Sequence, residues 1–173
     1  MPTLPTILST RTRLVVITAT LLTTLTLINL QITTKQRIIT EGTTILLELA
    51  PRDPRSLLQG DYMALRYAMA DEVAKAAEAA GVSDGRIVVE LDENEVARLI
   101  SIHDGEPLGN GQHLLQFRKR GESVRLASDA WFFEEGTGSQ YRDAKYGEVR
   151  VSEDGAAVLT GLRTATYKQL GTI

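Results

Sequence analysis

The chain contains no cysteine. That excludes a disulfide framework, a thiolate nucleophile and a thiolate-ligated metal. Histidine is nearly absent: His103 and His113 stand ten apart across the turn-rich stretch HDGEPLGNGQ. A zinc centre needs three or four convergent ligands, so this pair predicts no metal site. Aromatic residues make up only 5% of the chain. No Gly-x-Ser-x-Gly elbow, P-loop or dinucleotide fingerprint occurs, and no cofactor is expected. Acidic residues are missing from the first 40 positions, which hold Arg11, Arg13, Lys35 and Arg37. All 22 carboxylates follow, so the remainder is acidic although the whole chain carries a formal charge of only −3. An acidic domain is poorly suited to coating a phosphate backbone, and nucleic acid is not an expected partner.

The segment between Arg13 and Lys35 has 21 residues without a formal charge, LVVITATLLTTLTLINLQITT. As a helix it spans ~30 Å, about one bilayer core. A cleavable signal peptide is the rival reading. The run is long and INLQITTKQ lacks a small-x-small cleavage site, which favours an uncleaved signal anchor over about 14–34. Cations flank it equally, so the positive-inside rule casts no strong vote. The short leading tail is expected in the cytoplasm. Residues 1–40 then form tail and anchor, and 41–173 an exported domain beyond the membrane. At helical spacing Leu14, Ile17, Leu21, Leu25, Ile28 and Ile32 form one apolar arc. Thr20, Thr23, Thr24, Gln31 and Thr34 share a second face; Thr18, Thr26, Asn29 and Thr33 share a third. Threonine can satisfy itself on its own helix, whereas Asn29 and Gln31 do so less completely. The polar faces, Thr20, Thr24, Asn29 and Gln31 among them, are therefore expected to meet multi-pass membrane partners.

Beyond the anchor the text reads as short strands. TTILLEL (43–49) leaves the anchor as a strand, and GRIVVEL (85–91), 96–102, 112–118 and 123–127 follow. Asp71 to Gly81, DEVAKAAEAAG, is the one clear helix, opened by acids and closed by glycine. A hairpin over Glu153-Asp154-Gly155 joins 148–152 to 156–162. Many short strands and one short helix predict a mainly β, barrel- or sandwich-like domain.

PRDPRSLLQGDYMALRY (51–67) is the most distinctive text. Two prolines and Gly60 make a turn, and alternation follows: Tyr62, Ala64 and Arg66 on one face, Met63, Leu65 and Tyr67 on the other. GDYMALRY places Gly60, Asp61, Tyr62, Leu65 and Tyr67 at every fixed position of GDY-x-x-L-x-Y. It resembles the bacterial membrane-anchored GDYXXLXY family, and the flanking DPRSLLQ and KYGEVRVSEDGAAVLTGL are similar to it too. The resemblance covers essentially the whole chain. It implies one N-terminal helix in the bacterial inner membrane, an exported domain on its outer side and multi-pass membrane neighbours, and it brings no reaction with it.

PRSLLQGDYMAL is also similar to the region after the nucleophile of type I signal peptidases. The nucleophile position falls near Arg52, where there is no serine, and Ser56 stands four residues too late. A peptidase of that kind needs a neutral lysine. Lys119 sits between Arg118 and Arg120 and reads as facing solvent. Similarity of fold stays open, and a degenerate peptidase-like enzyme remains an alternative.

The motif offers two roles. Asp53, Arg55, Gly60, Asp61, Tyr62 and Tyr67 can form a recognition surface. They can equally build the turn, with Asp61 accepting backbone N–H groups, Arg55 pairing with it and Tyr67 filling the core. A second set is Glu134, Glu135, Tyr141 and Tyr146. Neighbouring carboxylates on a strand point to opposite faces, so they do not converge unaided. The leading expectation is a non-enzymatic subunit or accessory of a membrane assembly. A ligand-binding module is the further alternative, and would need a pocket lined by Tyr62, Trp131 and Tyr141.

Overall fold

A computed structural model describes residues 9–50 and 62–171 of the chain. Two compact units divide it, the first ending at Arg37 and the second beginning at Ile38.

The first unit is the body of helix α1, Thr10–Glu41. It is long and apolar enough to cross a membrane, with a mean hydropathy of 1.8 in its most apolar window and no residue of that window buried. The helix outruns the expected 14–34 at both ends, because Ser9 offers its hydroxyl to the amide of Thr12 at the start and nothing breaks the ladder before Gly42. Four of its polar residues turn inward on their own backbone. Thr26 donates to the Leu22 carbonyl at 2.8 Å, and Thr33 and Thr34 both donate to Leu30, at 3.0 and 2.9 Å. Asn29 does the same with its amide, reaching the Leu25 carbonyl at 2.8 Å, so it is better satisfied within the helix than its chemistry suggested.

The second unit is mainly β, with two four-stranded sheets curved as half-barrels and one short helix. Gly42 turns α1 directly into β1 (Thr43–Glu48). The first sheet has the order β1-β8-β9-β10, with β8 Tyr146–Val151, β9 Ala157–Arg163 and β10 Gln169–Leu170. The second has the order β4-β3-β5-β6, with β3 Asp84–Leu91, β4 Ala97–Ile102, β5 Gln112–Arg120 and β6 Ser123–Arg125. A two-stranded ribbon pairs β2 (Tyr62–Ala64) with β7 (Ala130–Phe132). All these ladders are antiparallel. The sheets meet where the Leu46 amide donates to the Glu95 carbonyl at 2.8 Å.

Helix α2 (Ala70–Ala79) lies across the second sheet. Val73 and Ala77, one turn apart, are fully buried. Asp71 and Glu72 face the positive end of the helix dipole. Gly81, at φ +68°, closes it: its amide donates to Glu78 and the amide of Val82 to Ala77, so two end carbonyls are satisfied.

One core links the sheets. Ile45, Leu47, Ile87, Val89, Leu115, Val149 and Leu162 have no solvent exposure. Two strands reach it only through bulges. Val88 faces Ser101 and Val89 faces Leu99, so Ile100 is an extra residue in β4. Glu148 faces Gly161 and Val149 faces Leu159, so Thr160 is an extra residue in β9. Each bulge resets the alternation, bringing Ile102 and Leu162 to the core side. The predicted hairpin forms at Gly155, whose φ is +87° and whose α-carbon lies against the backbone of β5: an added Cβ would stand 3.2 Å from the Gln116 amide nitrogen. Within this turn the Ser152 hydroxyl donates to the Asp154 carboxylate, and that bond first of all holds the Asp154 carboxyl below its ordinary range.

Candidate functional site

The motif strand keeps its alternation. Met63, Leu65 and Tyr67 are buried, and Tyr62 and Arg66 are exposed. Regular pairing stops at Ala64. Beyond it the chain binds elsewhere: Leu65 N–H donates to Asp129 at 2.7 Å, Ala68 N–H to Glu48 at 2.8 Å, and Ala50 N–H to Arg66 at 2.8 Å.

Tyr67 is 3% exposed. Its hydroxyl donates to the Ser128 carbonyl at 2.8 Å, across 61 positions of sequence. The ring edge presses on Gly147, where an added Cβ would lie 3.3 Å from it. Burial, then the nearby Asp129 carboxylate, push the phenol well above its ordinary ionisation range. The folded state therefore holds this proton more tightly than the unfolded chain, whose tyrosine ionises near pH ~10. The associated stability is complete below that pH and falls as pH rises above it. We expect Tyr67→Phe to lose about 1–2 kcal/mol at neutral pH from the missing hydrogen bond. We also expect it to flatten the decline above pH ~10, as read from urea unfolding of the full-length protein in uncharged detergent at pH 7 to 11. An unchanged alkaline limb would show that Tyr67 is not its source.

Tyr62 lies on the opposite face. It pairs with Phe132 across the ribbon, ring centroids 5.8 Å apart, and the two are 38% and 73% exposed. Trp131 stands opposite Met63 and faces inward, where Tyr141 meets it edge-on at 6.0 Å and stacks on Phe133 at 5.3 Å. The pocket expected from Tyr62, Trp131 and Tyr141 is thus not assembled: alternation along β7 separates Trp131 from Phe132, and Tyr62 follows Phe132 outward. Trp131 Nε1 is buried and has no hydrogen-bond partner among the described residues.

The other expected residues scatter. Glu134 and Glu135 are exposed in the loop after β7. Tyr146 stacks on Tyr167 at 5.2 Å; partial burial, then the Tyr167 hydroxyl, raise its phenol's ionisation point. Tyr167 itself adopts φ +62°, a left-handed conformation that side chains other than glycine seldom take. Asp53, Arg55, Ser56, Gly60 and Asp61, and with them the expected Asp61–Arg55 pair, lie outside the described residues. Among those described, no three His, Cys, Asp or Glu side chains converge as metal ligands.

Lys119 corrects a reading of the sequence. It does not face solvent. It keeps the phase of Leu115 and Phe117, its side chain is 19% exposed, and its ammonium reaches Glu78 of α2 at 3.2 Å. The long aliphatic stem can cross apolar ground while the charge finds a partner, and strand β5 runs two residues further than its sequence suggested.

Two clefts flank Leu65 and Arg66. The smaller, about 260 Å³, opens towards Met63, Tyr141 and Lys145. The larger, about 440 Å³, lies between the β5–β6 hairpin and the stretch from Leu65 to Asp71. Its lining includes Tyr67 and Val124. Its rim carries Arg66, Arg118, Arg120 and Arg125, with the carboxylates of Asp71, Glu122 and Asp129. Sequence reasoning missed this cleft, since its arginines come from three separated segments. The one available signal was the RKR run beside a hairpin turn.

No curated protein and no solved structure matches the chain. A family description, GDYXXLXY protein, matches residues 24–162, from within α1 to the core residue Leu162 of β9. The chain belongs to the GDYXXLXY family.

Proposed function

We propose that the protein is a single-pass, inner-membrane-anchored subunit or accessory of a membrane assembly, with its β domain on the outer side and no catalytic role of its own. The observation that carries this reading is α1. A helix whose apolar side chains, such as Val15 and Ile17, are more than half exposed calls for a bilayer around it, and it bears polar residues that lipid alone does not reward. Asn29 bonds its own helix through its amide group, which leaves its carbonyl oxygen to offer a neighbour. Gln31 can offer both groups. Interhelical hydrogen bonds of this kind contribute ~0.6–2 kcal/mol each. In this reading the polar faces with Thr20, Thr24, Asn29 and Gln31 dock the helix against a multi-pass partner. The motif surface would be a second contact.

The test is purification of the tagged full-length protein in mild detergent, beside a variant carrying Asn29→Leu and Gln31→Leu. The expected result is a stoichiometric multi-pass membrane protein with the native chain, reduced at least fivefold with the variant at equal expression. A native chain that elutes alone and monomeric would sink the proposal.

A further inference from the structure

The larger cleft carries an inference that stands whether or not α1 has a partner. Arg118 and Arg120 are two apart on β5 and therefore share a face of the strand. Arg125 of β6 stands directly opposite Arg118, and Ser123 opposite Arg120. The hairpin thus gathers three guanidinium groups on one face, with two of them in direct cross-strand register. Like charges in that position are unfavourable. Arg66, from the motif stretch, lines the same cleft.

Partial neutralisation comes only from exposed pairs. Arg118 reaches Asp84 at 2.9 Å, with both side chains more than 60% exposed. Arg66 reaches Asp71 at 2.6 Å, again with both more than half exposed. Arg125 pairs with Asp129. Surface pairs of this kind contribute little and are readily exchanged. Arg120 has no side-chain ion pair or hydrogen bond among the described residues. The cleft is large enough for a small molecule rather than a single ion, within the usual ~300–1,000 Å³ of ligand pockets. Leu65, Tyr67 and Val124 also line it, but Leu65 and Tyr67 are buried and Val124, opposite Lys119, is on the other face of β6 from Arg125, so the charged groups are what the cleft offers a ligand.

We propose that this cleft binds a phosphate-bearing ligand, held by Arg120 and flanked by Arg118 and Arg125. A terminal phosphate offers three oxygens to several guanidinium forks at once, which one carboxylate cannot match. A phosphate beside them would offset the Arg118–Arg125 juxtaposition. Glu122, at the hairpin turn on the same rim, opposes the ligand's charge.

The experiment is calorimetric titration of the full-length protein in uncharged detergent. Pyrophosphate serves as the soluble probe and dihexanoyl phosphatidic acid as the lipid-headgroup probe. Sodium chloride at matched ionic strength is the control. Saturable binding is expected with at least one probe, and which one saturates separates a soluble phosphate from a lipid source. Arg120→Gln should weaken it at least tenfold. Glu122→Gln should strengthen it severalfold, a gain that a misfolded variant cannot produce. Heat that does not saturate, a response that chloride reproduces, or unchanged affinity in both variants would overturn the proposal.

Discussion

Replacing Gly42 with alanine is expected to destabilise the β domain by about 3 kcal/mol, at the upper end of the cost of overpacking a core. Gly42 is the single residue between the end of α1 and the start of β1. A Cβ there would collide with the Ile38 carbonyl oxygen, and would lie 2.9 Å from the Val151 carbonyl oxygen and 3.1 Å from its amide nitrogen. All three atoms are backbone, so no side chain can swing away. Yielding would mean opening the last helical hydrogen bond, Gly42 N–H to Ile38 at 3.0 Å, or lifting β1 from β8 at the Thr43–Val151 pair. The Gly42 carbonyl also accepts from Arg150 Nη1 at 2.8 Å, and a shift would cost that contact too. For a chain of this size the loss corresponds to a melting temperature lower by roughly 6–12 °C. Calorimetry of the full-length protein in detergent measures it, and a change below about 2 °C would contradict the close approach described here.

Truncating Tyr67 to alanine is expected to cost about 3–5 kcal/mol, the range for removing a buried aromatic ring. The ring is the point where the motif segment joins both the first sheet, at Gly147, and the approach to β7, at Ser128. Its loss leaves a cavity between backbone segments that cannot easily collapse, together with an unsatisfied carbonyl. Tyr67→Phe should recover most of the loss, since the ring fills the space and only the hydrogen bond is missing. A larger effect from removing the hydroxyl than from removing the rest of the ring would argue against a packing role. These two variants separate the two readings of the motif at this position: a tyrosine that builds the strand entry changes stability, whereas one that recognises a ligand changes binding.

Much of the architecture is legible in local text because local rules and tertiary demands coincide. Met63, Leu65 and Tyr67 alternate inward as their spacing dictates. Gly81 ends α2 because a left-handed residue is cheapest there, and Gly155 turns the β8–β9 hairpin for the same reason. Legibility fails where the structure departs from period. No composition rule marks Ile100 or Thr160 as extra residues. β10 is two residues long and follows a turn in which Tyr167 takes a left-handed conformation. Lys119, between two arginines, reads as alternating onto the solvent side, but β5 continues through it in the phase of Leu115 and Phe117 and carries it to Glu78 of α2. The arginine cleft is a property of pairing register, which places Arg118 against Arg125 and cannot be counted off one segment. Tyr62 was drawn towards Trp131 by chemistry, and β7 sends the two to opposite sides.

The bulges in β4 and β9 make length itself a local property of these strands. Removing a residue from a strand ordinarily turns every later side chain inside out. At Ile100 the reverse holds: Ala97-Arg98-Leu99-Ser101-Ile102 would run in, out, in, out, in without interruption. At Thr160 the shortened Ala157-Val158-Leu159-Gly161-Leu162 does the same. Each strand therefore has one place where it can be a residue shorter and still deliver Ile102 or Leu162 to the core. A deletion on either side of that place would turn core residues out to solvent.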